Sequence, residues 1–258
     1  MIYDGCMVFN ELDMLELRLA ALSPVVDRFI VVESSLTHSG LPKPLYVTDA
    51  HNTGRFAAYG DKLTVAVVTD LGTGGSWERE YQQRAFIGDV LRLTAQPSDW
   101  VLIGDVDEIP TPEAVRTVVT QTQYDAAMLE LALYYYTFAC RVRQGWGIGM
   151  CRWGIEQEPN RIRRGVVHVP QLVVQNAGVH LSYFMTPEGV VEKLNAFMHH
   201  GDVAKDVPRD PTWIAGRMAA EQDLFGRTVV LEHVTPNGDL PQPVRDDPAT
   251  YQALGWLP

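Results

Sequence analysis

An apolar run, Trp100-Val101-Leu102-Ile103-Gly104, leads directly into three acids within four residues: Asp105, Asp107 and Glu108. Side chains two apart on an extended chain point the same way, so Asp105 and Asp107 can face one hard cation. Magnesium or manganese takes oxygen ligands and leaves positions for phosphate oxygens. The competing explanation is a solvated strand end whose acids need no partner. His180 lies in a short apolar run further on. It could complete a cation's shell with Asp105 and Asp107, or be a core histidine bonded to backbone.

A second cluster sits on a helical pattern over residues 76–94. Arg79 and Gln83 are four apart, as are Glu80 and Arg84, so all four share one strip. The preceding Gly72-Thr73-Gly74-Gly75 leaves backbone N–H groups open at a helix start, which favours anions. An arginine there could grip a phosphate through two N–H groups; a solvated face with two ion pairs is the alternative. Glu33-Ser34 and Asn10-Glu11 close two other apolar runs, where a carboxylate can meet ribose hydroxyls. Asn10 is equally suited to capping a helix. Trp146 and the Tyr134-Tyr135-Tyr136 run could stack on a sugar, although strand aromatics commonly fill cores. His199, His200 and His233 show no metal-ligand spacing.

The elements that must carry these residues alternate. Residues 2–9, 28–33, 63–69 and 100–103 are short, nearly continuous apolar runs, as expected of strands buried on both faces of a parallel sheet. Between the first two, Leu12, Leu15, Leu19 and Leu22 recur at helical spacing. Asn10 is the expected N-cap, with Asp13 three residues on, and Pro24 ends the helix. The alternation predicts an α/β fold with a Rossmann-like, mostly parallel sheet, flanked by helices joined through right-handed crossovers. Beyond Pro110, strands are expected at 126–136, 149–153, 165–169 and 179–184, with helices at 188–199 and 212–224. These predict a smaller mixed sheet on the acceptor side. Residues 1–235 read as one domain, with a nucleotide-binding half (1–110) and an acceptor half (111–235). Residues 236–258 hold five prolines and predict an extended tail rather than a packed element.

Composition narrows the partners. The 258 residues are 46% hydrophobic and carry a net charge of −11. A chain this acidic lacks the broad basic surface that phosphate backbones need, which argues against nucleic acid. Three cysteines without a CxxC fit neither a disulfide framework nor a zinc site. A run of about 18 apolar residues is missing, as is a basic-then-apolar leader, so a membrane span is not expected and the reading is cytoplasmic.

An Asp-x-Asp closing a strand has two familiar settings. Haloacid-dehalogenase phosphatases place it on the first strand, with a nucleophilic first Asp; here it closes the fourth. Glycosyltransferases of the GT-A fold place it after a nucleotide-binding half, which is the order found. The run from Tyr3 to Arg18 resembles the opening of glycosyltransferase family 17. So do Val25 to Ser34 with Thr37, Ser39-Gly40 and Lys43-Pro44-Leu45, and Trp77-Glu78-Arg79-Glu80 with Gln83-Arg84. Asp105-Val106-Asp107-Glu108-Ile109-Pro110, Gly178 to Phe184, and Asp223-Leu224-Phe225-Gly226-Arg227 extend the likeness to residue 227. It departs at Val179, where the family often has Trp, and in lacking the anchor and stem of the animal enzymes.

The resemblance implies a GT-A fold and an inverting, metal-dependent transferase using Mn²⁺ or Mg²⁺. It further implies a UDP-sugar donor, of the GlcNAc type, and a glycan, lipid, protein or small-molecule acceptor. Asn10, Glu11, Glu33, Ser34, Arg79, Gln83, Arg84 and Asp105 are then expected around the donor. Asp105, Asp107 and His180 are expected around the ion. Glu108, Asp223 and Glu192 are the candidates for the base that deprotonates the acceptor. Two other readings stay open: a non-catalytic nucleotide-sugar-binding protein, and the phosphatase.

Overall fold

The computed structural model of the chain describes residues 1–196, 206–236 and 238–258. Strands β1 (Ile2–Met7), β2 (Arg28–Ser34), β3 (Leu63–Val68) and β4 (Trp100–Ile103) pair in parallel, in the order β3-β2-β1-β4. All four expected strands are present. Their apolar runs are continuous because helices cover both faces, leaving few positions for a polar side chain.

The sheet continues beyond β4. The long β7 (Cys140–Arg152) runs antiparallel to β4, and β6 (Ala126–Tyr135) antiparallel to β7. Next come β8 (Gln171–Ser182), parallel to β6, and β5 (Glu108–Pro110), antiparallel to β8. A short β9 (Leu231–His233) joins the start of β7. The strands beyond residue 110 therefore form no separate sheet: the molecule is a mixed α/β protein with one continuous mixed sheet flanked by helices. The strand expected at 149–153 is the end of β7, and residues 165–169 are irregular.

Helices α1 (Leu12–Leu22) and α3 (Ser76–Thr94) lie where the periodicity puts them. Asn10 does not cap α1, however. Glu11 stands at the N-cap position without a side-chain capping bond; its carboxylate instead folds back to accept the Phe9 and Asn10 N–H groups at 3.0 and 3.2 Å. Three further helices, α2 (Tyr46–Asn52), α4 (Pro112–Thr120) and α5 (Pro159–Arg163), were not evident as apolar periods. The last two declare themselves by a capping side chain followed by proline, Thr111-Pro112 and Glu158-Pro159. Helices α6 (Pro187–Ala196) and α7 (Pro211–Ala219) follow. The end expected for α6 at 199, with His199 and His200, lies outside the described residues.

One sheet face packs on α1 and α4 through Leu15, Leu19, Val115 and Val118. The other packs on α3 through Ile87 and Leu91, beside Trp153 and Ile162. A third cluster joins α6 and α7 to β6 and β7 through Val190, Leu194, Ile214 and Val142. Gly149 of β7 positions the site directly: a Cβ there would stand 1.7 Å from the Ile162 carbonyl. Only glycine lets α5 press this close, and Arg163 follows immediately.

The prolines of residues 236–258 do not keep this stretch extended. Pro243 and Pro248 sit in the first turns of α8 (Gln242–Asp246) and α9 (Pro248–Ala253), where proline's missing N–H costs nothing. Val244 and Trp256 enter the core beside α1. The Trp256 ring meets Phe184 edge-on at 5.7 Å, and its carbonyl accepts the Phe138 N–H at 2.9 Å. Trp256→Ala is expected to cost about 3–5 kcal/mol, read as a shift in the denaturant midpoint. An unchanged midpoint would mean that this segment does not pack.

Candidate active site

The acidic loop is built upon a buried arginine. Arg18 of α1 is fully buried and binds Asp4 of β1 through Nε and Nη2, at 2.8 and 2.6 Å. Its Nη1 donates to the carbonyls of Asp105 and Glu108, at 2.9 and 2.5 Å. A surface ion pair contributes little; here both partners are wholly desolvated and every contact is hydrogen-bonded, so breaking one side is costly. Arg18 thus ties the first strand to the turn that follows the fourth.

Asp105 does not point into open space. Its Oδ1 accepts from Arg84 Nη2 at 2.9 Å and its Oδ2 from Arg163 Nη2 at 2.6 Å. Burial alone would raise its pKa, but the charges of Arg163 and Arg84 outweigh this and hold the carboxyl below the usual carboxylate range. Glu108 lies beneath, with no exposure, bound to Arg163 Nη2 and Nε at 2.5 and 3.2 Å and to the Asp105 N–H at 2.6 Å. Burial, with the Asp105 charge added, pushes Glu108 up.

Asp107 is arranged differently. Its carboxylate accepts no hydrogen bond among the described residues; His180 Nε2 stands 3.7 Å from Oδ1 and Lys193 Nζ 3.8 Å from Oδ2. The pairing of β5 with β8 places Glu108 opposite His180, which brings the histidine to the loop. His180 Nδ1 is buried without a hydrogen-bond partner. Lys193 of α6 binds Glu11 at 2.9 Å. Burial raises the Glu11 pKa, but the Lys193 charge prevails and the net shift is downward. A lowered folded-state pKa adds stability above the unfolded value and loses it as pH falls through the folded one. Glu11→Gln should therefore flatten the acid limb of the stability–pH curve below about pH 5, measured by urea titration; an unchanged slope would remove Glu11 from the pair.

These groups line a cavity of about 500 Å³ at the carboxyl ends of β1, β2 and β4. Of the residues expected at a site, Glu11, Gln83, Asp105, Asp107 and His180 line it, as does Trp146. Arg84 stands behind Asp105, bonded also to Glu80 at 2.6 Å and Asn160 at 2.9 Å. Arg79 is turned onto the His38 carbonyl at 3.1 Å.

Several expectations give way to structural roles. Glu33 is fully buried and caps α2, accepting from the Val47 and Thr48 N–H groups at 2.9 and 3.0 Å. Ser34 accepts the Leu36 N–H at 3.0 Å within a turn. Asn10 is not part of the cavity wall. None of the three base candidates presents a free carboxylate there. Glu108 is sealed under two arginines. Asp223 accepts from the Phe225 and Arg227 N–H groups and from the Arg227 side chain. Glu192 is exposed on the outer side of α6, 3.4 Å from Tyr46 Oη.

Tyr135 of the tyrosine run also lines the cavity, as do Tyr183, Phe225 and Arg227 from the motifs of the family likeness, whereas Arg163 and Lys193 emerge only from the structure. Lys193 had a legible signal, since Val190, Lys193 and Leu194 place a lysine on the apolar stripe of a helix. Tyr183 holds a left-handed backbone (φ 60°), uncommon outside glycine, and packs on Tyr135 and Phe225. These rings and Arg227 together form one wall of the cavity.

The fit of a divalent cation can be judged from the charges. Six carboxylates (Asp4, Glu11, Glu80, Asp105, Asp107, Glu108) are joined by four cations (Arg18, Arg84, Arg163, Lys193), so 6 − 4 leaves two formal negative charges in excess. The expected trio of Asp105, Asp107 and His180 is not assembled, because two arginines already occupy Asp105. Among the described residues, no group of three or more His, Cys, Asp or Glu side chains is disposed to hold a metal ion. The Asp107 carboxylate accepts no hydrogen bond among the described residues and His180 Nδ1 has no partner, while His180 Nε2 meets Ser182 Oγ at 3.2 Å. That fits an ion shared with a ligand's phosphates, not one held in an all-protein cage.

Fold and site together define an α/β protein whose acidic strand end faces a cavity walled by cations and aromatic rings. The chain belongs to glycosyltransferase family 17, whose model matches residues 1–235. It is 33% identical over 219 residues to the human β-1,4-mannosyl-glycoprotein 4-β-N-acetylglucosaminyltransferase, covering 72% of this chain and 41% of that protein. The rat protein of the same name is 28% identical over 217 residues, covering 72% and 40%. The chain thus spans about two fifths of the length of these relatives. Among solved structures, the bifunctional IspDF from Campylobacter jejuni is 8% identical, with a TM-score of 0.38 over 76% of this chain and 54% of that one. That likeness is too slight to bear on the reading. None of the described helices is long and apolar enough to cross a membrane.

Proposed function

We propose that the chain is an inverting glycosyltransferase of the GT-A type, moving N-acetylglucosamine from a UDP-sugar to a hydroxyl acceptor. One observation carries this reading: Asp107, without a hydrogen bond, faces the cavity within a cluster two negative charges in excess. Such a site suits a diphosphate brought in with a cation. The parallel half-sheet β3-β2-β1-β4, with the cavity at its carboxyl ends, supports the GT-A assignment. The name shared by the human and rat relatives supports the sugar.

A magnesium or manganese ion, when bound, would be held by Asp107 and His180 and would supply positive charge to stabilise the departing diphosphate. The chain's own residues do the rest. Donor-side groups at the ends of β1 and β2 hold the nucleotide, and the aromatic wall of Tyr135, Tyr183 and Phe225 orients the acceptor ring by stacking. The acceptor oxygen attacks the anomeric carbon from the face opposite the diphosphate. One C–O bond forms as the other breaks, UDP leaves with the electron pair, and the hydroxyl proton passes to solvent, since Glu108, Asp223 and Glu192 present no free carboxylate to the cavity. Glycan, lipid, protein or small-molecule hydroxyls all suit this chemistry. The three cysteines are unpaired and buried, which supports a reducing, cytoplasmic setting.

Incubation with UDP-GlcNAc and Mn²⁺ tests the proposal: slow UDP release without an acceptor is expected. Tight nucleotide binding with no release under any acceptor would favour the non-catalytic reading. The phosphatase reading requires Asp105 as a free nucleophile, and both of its oxygens are engaged by arginines.

A further inference from the structure

Arg163 lines the cavity but belongs to none of the motifs that carry the family likeness. Its guanidinium is gripped from two sides. Glu108 takes Nε and Nη2 from below, and Asp105 takes Nη2 from the side. The ring of Trp146 lies 5.7 Å from the guanidinium carbon. The remaining nitrogen, Nη1, makes no hydrogen bond among the described residues. Glu108 is itself fixed through the Asp105 N–H, and Arg18 holds its carbonyl. Gly149 permits the close approach of α5 that delivers this side chain.

A guanidinium oriented this rigidly loses little rotamer freedom when it meets an oxyanion, and its planar fork matches two phosphate oxygens. The other arginines nearby are placed less well. Arg84 is committed to Glu80, Asn160 and Asp105 and is not part of the cavity wall, and Arg79 is bonded to a backbone carbonyl. Arg227 is tied to Asp223 and Tyr135 on the aromatic wall.

We propose that Arg163 is a ligand of the donor's β-phosphate, the one joined to the sugar, and that Glu108 is the positioning residue that aims it. This deepens the transferase reading above and rests on it. Asp105 is the contact given up when the phosphate arrives; Glu108 remains. Glu108 then has a function that its burial permits, in place of proton abstraction, which its burial forbids.

Binding separates the proposal from the reading beneath it. UDP and UMP are titrated by calorimetry into the wild type, Arg163→Lys and Glu108→Gln, with and without Mn²⁺; circular dichroism and thermal melting confirm that each variant is folded. The wild type should prefer UDP over UMP. Arg163→Lys should lose about 10–100-fold in UDP affinity while UMP changes little, because lysine keeps the charge and loses the fork. Glu108→Gln, with Arg163 retained, should lose part of the same preference. Equal weakening toward UDP and UMP, or unchanged UDP binding, overturns the assignment of Arg163. A wild type that binds neither nucleotide overturns the transferase reading, and this inference with it.

Discussion

Asp107→Ala is expected to lower sugar transfer by about 10²–10³-fold, the loss typical of removing one pre-oriented electrostatic group from a transition state. The fold should survive, since the Asp107 carboxylate makes no hydrogen bond among the described residues and only distant contacts with His180 and Lys193. Its backbone carbonyl, which accepts the Leu181 N–H at 2.9 Å, is untouched by the substitution. The check is a rate measurement with UDP-GlcNAc alongside a thermal melt. Wild-type turnover in a folded variant would remove Asp107 from the chemistry. Loss of turnover together with loss of folding would instead show Asp107 to be part of the scaffold.

Arg18→Met is expected to act through stability. It leaves Asp4 charged, buried and without its partner, and strips two carbonyls of the acidic loop of their donor. Removing one side of a buried pair costs about 3–5 kcal/mol, a large share of the roughly 5–15 kcal/mol that holds a domain folded. Guanidinium denaturation reads the loss. The double variant Arg18→Met with Asp4→Asn should recover part of it, because the unpaired charge is then gone. If the single variant were as stable as the wild type, the pillar beneath Asp105 and Glu108 would be unimportant.

Much of the parallel half was legible in the residues. Continuous apolar runs mark strands covered on both faces and give the bounds of β4, and the helical pattern over 76–94 gives those of α3. The chain beyond residue 110 was less so. β7 runs through the consecutive exposed residues Arg143, Gln144 and Gly145 before its apolar end, and only pairing with β4, β6 and β9 makes it one strand. The helices near the C-terminus were masked by their prolines, although first-turn proline initiates a helix as readily as it interrupts one.

The site divides along the same line. Asp105, Asp107 and His180 could be found because residue type and strand position point to chemistry. What each carboxylate touches is decided by distant chain. Arg163 reaches Asp105 from 58 positions away and Arg84 from 21. Glu33 illustrates the converse: a carboxylate at a strand end looks like a ribose ligand until the helix start it caps is in view. Glu108, read as a candidate base, proves to be enclosed by the arginines that its neighbours require.

The most direct measurement is a crystal structure of the chain with UDP and Mn²⁺. The account predicts the diphosphate in the cavity between Arg163 and Asp107, with the ion against Asp107 and His180. A diphosphate bound elsewhere, with Asp107 still facing only Lys193 and His180, would contradict it.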